Sequence, residues 1–102
     1  MIEFTFYKDK ADNLMGFKCM NHGTDVVCAA VSILTQNTVN SVEALSDTRF
    51  QLNFSPEGGF MEFILVDGID DKAEILLKSL ELGISGIAAE YKSEIEVFVK
   101  EA

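Results

Sequence analysis

The chain has 102 residues, 48% of them hydrophobic, with eight Phe, one Pro and seven Gly; that suits one domain with a real core and excludes a disordered or low-complexity chain. Eight basic residues against seventeen acidic ones leave a net charge of −9, which lacks the basic stripe of a direct nucleic-acid binder and fits either simple solubility or attraction for a basic partner. No apolar run approaches the roughly eighteen residues of a membrane span, the Met1-Ile2-Glu3-Phe4 start lacks the features of a signal peptide, and two cysteines are too few for a disulfide framework, so a reducing, cytoplasmic setting is expected.

Ile2 to Tyr7 alternates Ile2, Phe4 and Phe6 with Glu3, Thr5 and Tyr7, the period of a half-buried strand. Asp9 to Asn13 reads as a polar turn, and Leu14 to Met20 as a second strand of the same hairpin. Asp25 is a good N-cap for a helix running to about Leu45, with positions 27, 31, 34, 38, 42 and 45 on its apolar stripe. Phe50, Leu52 and Phe54 alternate again, Ser55 to Gly59 is a turn, and Phe60 to Val66 returns as a strand. Asp70-Asp71 opens a second helix to about Tyr91, whose stripe holds Leu76, Leu80, Ile84, Ile87 and Tyr91. Glu94 to Lys100 closes the chain as a strand. The order ββαββαβ predicts an α+β fold: a mostly antiparallel sheet, with two long helices packed on one face. Gly83 and Gly86 weaken the second helix by about 1 kcal/mol each relative to Ala, which fits close approach of another backbone across a dimer.

The chemistry is concentrated in Asn21 to Ser32, which holds the only histidine and one of the two cysteines. With Asp25 as cap, Cys28 lies in the first helical turn, where unpaired N–H groups and the helix dipole stabilise a thiolate. His22, in the connection leading to the helix, is near enough in sequence to serve as a base for that thiol. Ser32 follows Cys28 by one turn on the same face. Backbone N–H groups around Val27 to Ala29 are candidate oxyanion donors. The plainer readings are a small buried thiol and a surface histidine. Cys19, His22, Asp25 and Cys28 include ligands suited to zinc, but Cys-x2-His-x5-Cys matches no standard zinc spacing, so neither metal nor cofactor is expected.

Asp25-Val26-Val27-Cys28-Ala29-Ala30-Val31-Ser32, running on into Leu34-Thr35-Gln36 and Val39-Asn40-Ser41-Val42-Glu43-Ala44-Leu45, resembles the helix-one signature of the Prp ribosomal-processing cysteine proteases. The resemblance implies a Cys28 nucleophile with His22 as base, Asp25 and Ser32 as supporting residues, and a mobile substrate loop carrying Asn21, Gly23 and Thr24. It also implies a homodimeric maturation protease that cuts after paired phenylalanines. Its substrate would be the basic N-terminal segment of large-subunit ribosomal protein number twenty-seven, whose extension it removes. Two departures stand out: Asn21 replaces the glycine before the histidine, and the His22–Cys28 connection is shorter than in many members. The rival expectation is a non-catalytic module that binds a basic ribosomal segment, its activity lost through the shortened connection.

Overall fold

The computed structural model describes residues 1–102 and shows the element order expected: β1 (Ile2–Lys8), β2 (Leu14–Met20), α1 (Asp25–Leu45), β3 (Phe50–Phe54), β4 (Phe60–Leu65), α2 (Asp71–Glu90) and β5 (Ile95–Glu101). The strands form one sheet in the order β3-β4-β2-β1-β5. Every pair is antiparallel except β1 with β5. The exception follows from connectivity: α2 carries the chain across the sheet, so the last strand enters beside β1 in the same direction.

One continuous core holds the layers together. Ile2, Phe4, Phe6, Phe17 and Phe63 of the sheet meet Val27, Val31, Val39 and Val42 of α1 and Ala73, Leu77, Leu80 and Ile84 of α2. Phe17 stacks at 5.5 Å on Phe4 and at 5.5 Å on Phe63, and Phe63 meets Phe50 at 4.8 Å. The rings therefore cross β1, β2, β4 and β3 and fix those strands against the helices.

Several details differ from the sequence reading, each for a local reason. Thr5 and Tyr7 are buried although they alternate out of the core, because β1 has a neighbour on either side and the Tyr7 hydroxyl donates to a Glu62 carboxylate at 2.6 Å. Burial, reinforced by that carboxylate, pushes the Tyr7 phenol up to about 12. Leu45, assigned to the apolar stripe of α1, is exposed at the last helical residue. Asp70 caps α2 as expected, accepting from the Ala73 amide at 2.9 Å. Gly83 does not await a second chain. A methyl group there would stand 2.9 Å from Leu34 Cδ1, so this glycine lets α1 and α2 close on each other, whereas Gly86 has open space around it.

Candidate active site

The segment after β2 reaches α1 in four residues, Asn21 to Thr24. Its first residue turns the chain sharply: Asn21 has φ 72, a left-handed conformation that suits glycine first and asparagine next. This accounts for asparagine at the position where the resemblance leads us to expect glycine. The Asn21 amide donates to Gly59 O at 2.9 Å, and its side chain donates to Glu3 at 2.8 Å. The end of β2 is thereby tied to the β3–β4 turn.

Helix α1 begins one residue earlier than expected. Asp25 is not the cap but the first helical residue; Thr24 is the cap, and its side chain makes no capping hydrogen bond. The Thr24 amide instead donates to a Glu94 carboxylate oxygen at 2.8 Å, a carboxylate brought from the start of β5 to the positive end of the helix. Hydrogen bonding from Thr24, its side chain first and its backbone amide second, holds the Glu94 carboxyl below its ordinary value of 4.5. A depressed carboxylate stabilises the fold above the unfolded-state value, and that contribution disappears as pH falls through the folded-state one. Glu94→Gln is accordingly expected to melt below the wild type at pH 7, with the gap closing as both proteins are taken well under pH 4.5. Thermal melts of both proteins at pH 7 and pH 3 check this.

The shift of one residue changes which amides are free. Cys28 becomes the fourth helical residue, and its own N–H already donates to Thr24 O at 2.8 Å. Ala29, next in the ladder, is likewise engaged by helical geometry. Of the expected oxyanion donors Val27 to Ala29, only Val27 therefore keeps a first-turn amide without an intrahelical partner. The sulfur has a different donor: Gly23 N–H points at Cys28 Sγ at 3.2 Å, and the thiol in turn faces Gly23 O at 3.5 Å. The Gly23 peptide thus holds the sulfur in place at the start of α1.

Cys28, His22, Ser32 and Asn21 line one cleft of about 380 Å3 between the start of α1 and the β3–β4 turn. Cys19, Gln36, Phe54 and Met61 are among the other residues of its walls, with Gly58 and Gly59 of the turn. His22 and Cys28 thus lie on one surface. No hydrogen bond joins the two; the sulfur's partners lie in Gly23, and the His22 ring rests toward Gly58 and Gly59. Asp25 is exposed at the head of α1. Gly23 and Thr24, expected in the substrate loop, do not line the cleft: the Gly23 amide donates to the Cys28 sulfur and the Thr24 amide to Glu94. The four groups weighed as zinc ligands do not gather: no three His, Cys, Asp or Glu side chains are placed to hold a metal ion.

Burial, with Cys28 adding a smaller repulsion, pushes the Cys19 thiol up to about 11, so it stays protonated at neutral pH and is a poor nucleophile. Two contributors were not legible in sequence, Glu94 and Gly59. Glu94 lies seventy residues from Thr24 and carries no local signal. Gly59 reads only as a turn residue.

With this geometry in view, the comparison with known proteins is direct. The family described as cysteine protease Prp matches residues 1–96. The chain belongs to the Prp cysteine protease family. Prp relatives include the ribosomal processing cysteine protease Prp of Staphylococcus aureus strain NCTC 8325, 29% identical over 79 residues, or 78% of this chain and 74% of that protein. That of Bacillus subtilis strain 168 is 25% identical and covers 95% of this chain and 96% of its own. Among solved structures, S. aureus Prp with a covalently linked product peptide superposes with a TM-score of 0.93 at 25% identity, covering 98% of this chain and 100% of that one. A Streptococcus mutans protein gives 0.88 at 29% identity, covering 100% of this chain and 99% of its own. As a Prp family member the chain is a cysteine protease, and its fold is the Prp fold.

Proposed function

We propose that this Prp protease removes the N-terminal extension of large-subunit ribosomal protein number twenty-seven, cutting after paired phenylalanines, with Cys28 as nucleophile and His22 as base. The observation that carries the reading is the placement of the Cys28 thiol and the His22 imidazole on one cleft, with a backbone donor on the sulfur. The S. aureus relative that holds a covalently linked product peptide supports peptide chemistry on this scaffold. The net charge of −9 suits a basic ribosomal segment. A cytoplasmic setting and a homodimer belong to the same reading.

The steps follow from the groups present. His22 takes the Cys28 proton, and the thiolate adds to the scissile carbonyl carbon, leaving an oxyanion on the carbonyl oxygen. Collapse expels the new amine, protonated by His22, and leaves a thioester on Cys28. Water, deprotonated by His22, then adds to the thioester, releasing the carboxylate and the thiol. Asp25 contributes charge at the helix start rather than orienting the imidazole, since it stands exposed as the first helical residue. Ser32 borders the cleft one turn beyond the sulfur.

Mass spectrometry of an extended ribosomal-protein peptide, incubated with the wild type and with Cys28→Ala, tests the proposal. Cleavage after the phenylalanines by the wild type alone is the expected result. A peptide bound but left intact by both would overturn it and favour a binding module.

A further inference from the structure

The β3–β4 turn does more than wall the cleft. Gly58 and Gly59 both have φ +86, so a side chain at either would strain the backbone in the same way. They differ in what a side chain would meet. A methyl group on Gly59 would stand 2.8 Å from His22 Nε2, 3.5 Å from Cε1 and 3.6 Å from Cδ2. On Gly58 the nearest ring atom, Cε1, would be 3.7 Å away, an ordinary contact. The near-equal distances to Cε1 and Cδ2 mean that the ring meets Gly59 with Nε2 leading. The same glycine's carbonyl accepts the Asn21 amide at 2.9 Å, so the residue before the histidine is fastened to the residue beneath its ring.

We infer that Gly59 is a positioning residue: its lack of a side chain gives the Nε2 edge of the His22 imidazole the room it occupies against the β3–β4 turn, and so sets how the ring meets Cys28. The inference rests on the proposed roles of Cys28 and His22. It places the control of histidine geometry on a turn some forty residues further along the chain, and not on Asp25. Because that turn also lines the cleft, the ring and a bound peptide share one wall.

Labelling of Cys28 by iodoacetamide between pH 6 and 8, located by peptide mapping, reads the pair without depending on the identity of the substrate. The proteins compared are the wild type, Gly58→Ala, Gly59→Ala, His22→Ala and the His22→Ala/Gly59→Ala double variant, each with a thermal melt. Gly59→Ala is expected to slow labelling by about tenfold or more and to take on the pH profile of His22→Ala. Gly58→Ala, which shares the backbone strain, is expected to be slowed far less. In the His22→Ala background Gly59→Ala is expected to add nothing, since the methyl group then has no ring to displace.

Equal slowing by the two glycine variants would overturn the inference in favour of backbone strain. So would wild-type labelling of Gly59→Ala, or a further loss of the same size in the His22→Ala background. If Gly59→Ala does not fold, recovery of folding in the double variant supports the collision; failure to recover while Gly58→Ala folds overturns it. Labelling of His22→Ala at the wild-type rate would instead remove the base role itself, a distinct failure visible before any glycine variant is considered.

Discussion

Cys28→Ser is expected to leave a folded protein that has lost turnover. The thiol is half-buried at the margin of the core, and its polar contacts are with the Gly23 peptide. A hydroxyl fits the same space and can face the same carbonyl and amide. Stability should therefore change by about 1 kcal/mol or less. The chemistry should not survive, because a serine hydroxyl is a far weaker nucleophile than a thiolate. Loss of the nucleophile in a serine-protease triad lowers kcat by about 10^6-fold, and a fall beyond about 10^4-fold is expected for the Cys28–His22 pair. Melting curves beside peptide turnover check both halves. Loss of structure in step with loss of activity would assign Cys28 to packing.

Phe17→Ala is expected to be the most damaging change to the fold. Phe17 is fully buried at the centre of the ring stack, between Phe4 and Phe63. Truncation removes two aromatic contacts and opens a cavity that strands on either side cannot close. A loss of about 3–5 kcal/mol follows, against a total stability of about 5–15 kcal/mol for a domain. Urea denaturation of the two proteins, compared at constant slope, measures it. Because β2 leads directly into Asn21 and His22, the same variant should lose cleft geometry before it is fully unfolded.

Much of this molecule could be read along the chain. Alternation in Ile2–Tyr7 and Phe50–Phe54, the Ser55–Gly59 turn and the apolar spacing of two long segments are local signals, and each became the element it predicted. The motif around Cys28 is also local, since a thiol near a helix start and a histidine a few residues before it are set by sequence spacing. What spacing leaves open is how the ends meet. The cap of α1 fell to Thr24 rather than Asp25 because Glu94, supplied by the approach to β5, takes the Thr24 amide. Gly83 proved to serve Leu34 of the same chain, a contact fixed only when two helices pack.

Sequence by itself determined the order of elements and the placing of Cys28 near a helix start with His22 just before it, because each depends on residues within a few turns or strand periods. Tertiary structure alone decided that β5 lies parallel to β1, that Cys19 shares the cleft as a protonated thiol, and that His22 rests on Gly59. The physical reason is the same throughout: these depend on groups far apart in the chain, whose distances are set by the sheet order and by helix-on-sheet packing rather than by any local preference.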